Sequence, residues 1–291
     1  MKSTRIISHL KMKIAKLFLV SLPSLLNKPL LLLYYKYLAK VRRLQRVSKP
    51  IKQIERDRKE NYRITFYSGP TILVPQIERV SRFVSGYERA IQRIVSQYRI
   101  GELENSNFET IVDVGANVGE FSLAMLSFYQ TRVIAVEPVD RTFQCLKENL
   151  EAFSNRSECF NLALSNNEEE TNFFIAEDLE NSSFIRPEVF QSQRVVHTET
   201  LEKFLERRNI KKVDLLKMDA EGFEPEVLSG LGKLLHRIVN YTIDCSPERL
   251  GKSTTNEVRQ FFVLNQIPYR EFTDKESGRV ILVGGKNLKV D

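Results

Sequence analysis

Four ionisable residues stand where two apolar runs end. In Val213–Glu224, VDLLKMDAEGFE, an apolar strand-like stretch holds Lys217 and runs out into Asp219, Glu221 and Gly222, and Asp244 lies near the end of the run Ile238–Cys245. Carboxylates at such exits can take a proton from an attacking hydroxyl, or hold a divalent cation such as Mg through hard oxygen ligands. Lys217 can steady the negative charge that develops on that oxygen. The competing reading is a structural network in which Lys217 pairs with Asp219 and Glu221, because charge inside a buried strand end costs several kcal/mol unless it is paired. His197 is a weaker candidate base, since a lone histidine at a strand end is more often held for structural reasons.

A second set of residues is suited to holding a nucleoside. Glu109–Phe121, ETIVDVGANVGEF, reads as a buried strand, a tight glycine turn and the start of a helix. Gly115 and Gly119 let a ligand approach the backbone, and the helix start offers unpaired N–H groups. Asp113 and Asn117 lie in the same stretch. Glu137, 22 positions beyond Gly115, closes the apolar strand Arg132–Val136, where its carboxylate can accept both hydroxyl protons of a ribose. A helix cap or a surface acid is the plainer alternative for it. Asn161 and Ala163, in NLALS, leave room for a flat adenine ring or form a simple strand and turn.

The elements that must position these groups follow from periodicity. Residues 41–61 are strongly charged and helical in character, 62–74 read as a hairpin turning at Gly69, and 80–98 return to helical spacing. Strands are expected at 109–114, 132–137, 159–164, 213–218 and 238–245, and helices at 121–126, 141–153, 198–208, 225–235 and 254–264. Two further short strands, 171–175 and 194–197, flank a polar connection, 177–193, read as a mobile substrate loop or an insertion. Strands at 269–272 and 280–283 are joined closely enough to be antiparallel neighbours.

Charge is distributed unevenly. Residues 1–60 carry 16 Lys+Arg against 3 Asp+Glu, and the remainder carries 28 against 34. An appended basic arm of this kind suits anionic lipid headgroups or nucleic acid, or else is a solvated helix without a partner. Its apolar part, residues 14–38, is interrupted by Lys16, Pro23, Lys28, Pro29 and Lys36, too often for a spanning helix. An interfacial segment in peripheral contact with a membrane is expected, with docking on the protein's own domain or on a second subunit as the alternative. Three scattered cysteines exclude a disulfide framework or thiolate metal site and favour a reducing, cytoplasmic compartment. Three segments result: the arm 1–60, an entry or lid segment 61–108, and a catalytic domain 109–291.

Alternating strands and helices closed by a hairpin strand form the layout of the Rossmann-like, seven-stranded class I methyltransferase sheet, an α/β fold with helices on both faces. The glycine spacing Asp113-x-Gly115-x-x-x-Gly119 departs from the dinucleotide pattern and agrees with that layout. Residues 110–285 resemble the FkbM family of S-adenosylmethionine-dependent methyltransferases through VDVGANVGEF, AVEP, NLALS and KMDAEGFE. The resemblance implies methyl transfer to an oxygen of a sugar, glycan, lipid or other small hydroxylated acceptor. It implies that Gly115, Asn117 and Gly119 hold the methionine and ribose portion, with Asp113 at the amino group and Glu137 at the ribose. Lys217, Asp219, Glu221 and Asp244 are then the catalytic candidates, and Asp219, Glu221 and Asp244 the candidate Mg ligands. Ile243-Asp244-Cys245 departs from the family's usual glutamate at that strand end, and the basic arm has no counterpart. An RNA-directed enzyme would gain from the arm, yet the fourth strand lacks the Asn/Asp-Pro-Pro-aromatic motif of amino-directed enzymes. A non-catalytic nucleoside-binding protein on the same scaffold is the remaining alternative.

Overall fold

The computed structural model describes residues 51–104, 107–187, 189–275 and 277–289, together with helical residues at 30, 32–35 and 37. The chain forms two compact units, residues 1–87 and 88–291. Most of the apolar segment 14–38, and residues 41–50 of the expected helix, lie outside the described residues.

The first unit holds an antiparallel sheet of β1 (Ile51–Arg56), β2 (Tyr62–Phe66) and β3 (Ile72–Val74), in that order. The expected hairpin is β2–β3, and Gly69 supplies the positive φ of 114° in its turn. The expected helix over 41–61 is corrected by β1. Ile51 and Ile54 are three apart and both buried, which imitates helical spacing. A register shift between Ile51 and Gln53 is the cause, because a bulge adds a residue and returns the second isoleucine to the buried face. The single helix expected over 80–98 is also divided. A 3-10 turn, Ile77–Phe83, is separated from α1 (Tyr87–Gln97) by Gly86, whose φ is 92°.

In the second unit the chain order is β4 (Thr110–Val114), α2 (Glu120–Phe128), β5 (Arg132–Val136), α3 (Asp140–Leu150), β6 (Ser157–Phe160), β7 (Ala163–Ser165), β8 (Glu170–Ile175) and β9 (Ser192–Thr200). It continues through α4 (Leu201–Arg207), β10 (Leu215–Met218), α5 (Glu224–Ser229), β11 (Asn240–Asp244), α6 (Thr255–Leu264), β12 (Tyr269–Thr273) and β13 (Val280–Gly285). Seven strands make one sheet in the order β12-β13-β11-β10-β4-β5-β6. Only β13 runs antiparallel to its neighbours. The order reverses between β4 and β10, the point in such a sheet beyond whose strand ends ligands bind. The central strands are covered on both faces: β11 is buried along its whole length, its polar Asn240, Thr242 and Asp244 included. Val112, Ile134, Phe204, Leu216, Tyr241 and Phe262 belong to one core cluster.

The third strand expected over 159–164 is two strands. β6 stays in the large sheet, whereas β7 pairs in parallel with β9, which pairs antiparallel with β8. The division falls at Asn161-Leu162, where the Asn161 amide donates to the Glu137 and Pro138 carbonyls and holds the chain at the end of β5. β9 is longer than expected and runs to Thr200, whose side chain caps α4 by accepting from the Lys203 N–H. α5 is shorter than expected; a 3-10 turn, Gly232–Arg237, follows it.

Candidate active site

The switch point between β4 and β10 brings the glycine loop against the Asp219 backbone. Gly115 and Ala116 donate their N–H groups to the Val136 carbonyl at the end of β5, both at 3.0 Å. Gly115 has φ 68°, and a Cβ on it would lie 1.8 Å from the Asp219 carbonyl oxygen, so only glycine fits. Asn117 is left-handed at φ 52° and donates its N–H to Glu137 Oε2 at 2.9 Å. The other Glu137 oxygen accepts from the Val139 N–H at 2.8 Å. Glu137 is therefore buried and cross-links the ends of β4 and β5. Gly119 begins α2 at φ 89° with no side-chain cap.

Asp113 and Lys217 face each other in register on β4 and β10. Their charged groups are 3.0 Å apart, and their side chains are 0% and 3% exposed. Ser122 Oγ donates to the second Asp113 oxygen at 2.6 Å, while Lys217 Nζ also donates to the Gly115 carbonyl at 2.8 Å. Burial works against the Lys217 ammonium, but Asp113 followed by Asp219 outweighs it and holds the group above its ordinary range. This corrects the expected pairing. Among the described residues the ion-pair partner of Lys217 is Asp113, because strand register sets the two opposite each other beneath the loop.

The acids gather at the carboxyl ends of β10 and β11. Among the described residues, Asp219, Asp244 and Glu248 each offer an oxygen within 4.8 Å of the others. Glu221 is not in this group, so the expected ligand set of Asp219, Glu221 and Asp244 is corrected. Glu221 lies in a left-handed turn at φ 51°, and its backbone carbonyl accepts from Ser183 Oγ at 2.8 Å. Asp244 is fully buried, receives the Ser246 N–H at 3.0 Å and is ion-paired with Arg279. Burial and then the Asp219 charge raise Asp244, with Arg279 opposing; burial, Asp219 and Asp244 raise Glu248 well above the carboxylate range. Buried oxygens of Asp219 and Glu248 have no hydrogen-bond partner.

Tyr98 completes this edge. Its hydroxyl donates to Asp219 Oδ2 at 2.5 Å, its carbonyl accepts from Thr242 Oγ1 at 2.7 Å, and Lys217 Nζ lies 5.1 Å from its ring centre. Burial first, then the neighbouring Asp219, raises its phenol strongly. Tyr98 and Asp219 are 121 residues apart in the chain, so no local pattern joins them. Glu248 carries a local signal: it lies four positions beyond Asp244, the last residue of β11.

The polar connection between β8 and β9 is fastened at its middle. Ser182 and Ser183 are buried, and Ser183 exchanges backbone hydrogen bonds with Phe174. The Phe184 ring lies 4.6 Å from that of Phe223 and 4.9 Å from that of Phe173. Ala163 is buried in β7, and exposed His197 pairs with Glu170 across β8 and β9. Asn161 orients backbone, and Arg194 joins it there by donating to the Pro138 carbonyl and pairing with Asp140.

The strand order with its antiparallel penultimate strand, the glycine loop and the acid after β5 define a class I S-adenosylmethionine-dependent methyltransferase. The chain matches the family model of the methyltransferase FkbM domain over residues 113–273, and it belongs to that family. Methyltransferase 1 of Beauveria bassiana (strain ARSEF 2860) is 32% identical over 59% of this chain and 78% of its own length. The METTL16 MTase domain matches with TM-score 0.47 and 13% identity, covering 86% of this chain and 91% of that one. M. capricolum TrmK in complex with S-adenosylhomocysteine matches with TM-score 0.43 and 12% identity, covering 68% of each chain.

Proposed function

We propose that this methyltransferase acts on oxygen, at a hydroxyl of a neutral sugar, glycan, lipid or other small acceptor, and that residues 109–291 form the catalytic domain. The cluster of Asp219, Asp244 and Glu248 supports this reading most directly. Carboxylates at the strand ends can accept the hydrogen bond of an alcohol and then its proton. The residues fit the cofactor: two glycines at positive φ and an uncapped helix start face the end of β5, where Glu137 is held by two N–H groups. When bound, S-adenosylmethionine supplies a methyl group already activated for displacement. Gly115, Asn117 and Gly119 would hold its methionine and ribose part, and Glu137 the ribose hydroxyls. Asp113, sealed beneath the loop with Lys217 and Ser122, would act on the cofactor through the loop backbone.

On the acceptor side, Asp219 receives the substrate proton, and the Tyr98 hydroxyl keeps its carboxylate in one orientation. Lys217 contributes positive potential from behind the loop. A divalent cation such as Mg suits the all-oxygen set Asp219, Asp244 and Glu248, where it would polarise the acceptor oxygen. The basic arm is assigned to the surface of an anionic membrane. Exposed Leu30, Leu33 and Tyr37 stand at helical spacing i, i+3, i+7, and no helix among the described residues is long and apolar enough to cross a membrane.

The test is transfer of labelled methyl from S-adenosylmethionine to separate panels of glycans, lipids and RNA, with and without chelator. Label on a glycan or lipid hydroxyl, lost in Asp219→Asn, is expected. Label on RNA alone would overturn the assignment.

A further inference from the structure

Glu224 is the most buried acid of the stretch Val213–Glu224, and its hydrogen bonds reach neither the glycine loop nor the side chains of the acid trio. It is 0% exposed. Its Oε1 accepts from the Ala220 N–H at 2.9 Å and from the Gly222 N–H at 3.1 Å, while Oε2 accepts from Thr254 Oγ1 at 2.9 Å. The first two bonds close the turn that starts at Asp219. The third reaches the residue before α6, at the end of the loop that carries Glu248.

Two further links join the same segments. Gly222, at φ 88°, packs so closely on the Arg249 backbone that a Cβ would lie 2.9 Å from the Arg249 nitrogen. Arg249 is also ion-paired with Glu226 at the start of α5. The turn itself holds two consecutive left-handed residues, Glu221 at 51° and Gly222 at 88°. A non-glycine residue in that region is strained and persists only where its surroundings over-determine it. The Glu224 carboxylate supplies that determination by accepting the part-buried Ala220 N–H and the buried Gly222 N–H.

We propose that Glu224 is a positioning residue that clamps the turn after β10 to the loop before α6, and thereby sets Asp219 in place against Tyr98 and Glu248. The proposal rests on the acceptor-side reading of Asp219 and deepens it. Glutamine satisfies the same groups: its carbonyl oxygen accepts the two N–H bonds, and its NH2 donates to Thr254 Oγ1. Alanine satisfies none of them.

The reporter is Tyr98, which touches Asp219 and has no bond to Glu224. Full-length protein carrying 13C at the tyrosine Cζ is compared as wild type, Glu224→Ala, Glu224→Gln and Thr254→Val, with Tyr98→Phe identifying the resonance. Glu224→Ala is expected to move the Tyr98 signal toward that of exposed tyrosines, Glu224→Gln to restore it, and Thr254→Val to move it part of the way. A lower melting temperature in Glu224→Ala with the Tyr98 signal unmoved would mean a structural role only and would overturn the proposal. So would a Glu224→Gln spectrum that matches Glu224→Ala. If Glu224→Ala does not fold, Thr254→Val decides: an unmoved signal there overturns the clamp. S-adenosylhomocysteine calorimetry on the same samples reports separately, because no uptake by wild type sinks the methyltransferase reading without altering the Tyr98 comparison.

Discussion

Asp219 is held by contacts of three kinds: a phenol on its carboxylate, a glycine against its carbonyl, and a turn clamped behind it. On the proposed reading Asp219→Asn removes the proton acceptor and should lower turnover by roughly 100- to 10,000-fold, the usual worth of general-base catalysis. Affinity for S-adenosylhomocysteine, measured by calorimetry, should hardly change. Tyr98→Phe removes a hydrogen bond to a charged group, worth about 1.5–3 kcal/mol, so roughly a 10- to 150-fold loss is expected at the same step. Gly115→Ala should act on the other side of the site. The left-handed backbone and the Cβ 1.8 Å from the Asp219 oxygen together predict roughly 2–5 kcal/mol of destabilisation and lost cofactor binding, read from thermal melts with and without S-adenosylhomocysteine. Glu224 predicts a pH dependence of stability. Burial pushes it up to about 7, with Asp219, Cys245 and Glu248 as its charged or titratable neighbours. Its folded pKa lies above the unfolded value of 4.5, so the folded state keeps the proton while the unfolded state loses it as pH rises through that interval. Its contribution is therefore intact below about pH 4.5 and falls by roughly 3 kcal/mol by pH 7. Melting temperatures of Glu224→Gln across pH 5–8 should lack this decline.

At the scale of elements, the legible parts were those whose signal is local. The strand, glycine turn and helix at 109–126 could be read because apolar runs, positive-φ residues and helical spacing lie within one short window. The closing hairpin was legible for the same reason. β1 was misread because a bulge restored two isoleucines to one face at a spacing of three. The departure of β7 from the large sheet depends on Asn161 bonding to carbonyls 23 and 24 residues earlier, which no window of sequence reveals. Lys217 was seen as a functional charge, but its partner was set by parallel register between β10 and β4 rather than by nearness in sequence. That pairing makes a distinct prediction. Asp113→Asn or Lys217→Met alone leaves a buried charge uncompensated and should destabilise by roughly 3–5 kcal/mol in denaturant unfolding. Replacing both with apolar residues should recover part of that loss, whereas two catalytic residues acting on substrate would show no such recovery.

For the whole molecule, the uneven charge is what motivates the proposed membrane contact. The arm carries a net +13 over residues 1–60, while the rest is −6 and presents acids at the acceptor edge. An anionic bilayer needs to meet only the arm. Coulomb attraction to lipid headgroups adds about 1 kcal/mol per basic residue near the surface, and exposed apolar side chains add what they bury. Leu30, Leu33 and Tyr37 are 49%, 61% and 64% exposed along one stripe, which gives such a surface something to insert. The full chain carrying Leu30→Asn, Leu33→Asn and Tyr37→Asn should lose sedimentation with phosphatidylserine-containing liposomes while binding S-adenosylhomocysteine as before. Raising salt should weaken wild-type sedimentation, because screening removes the Coulomb share and leaves the apolar one. Sedimentation that resists both the triple substitution and salt would show that this stripe and the arm's charge are not what holds the protein to lipid.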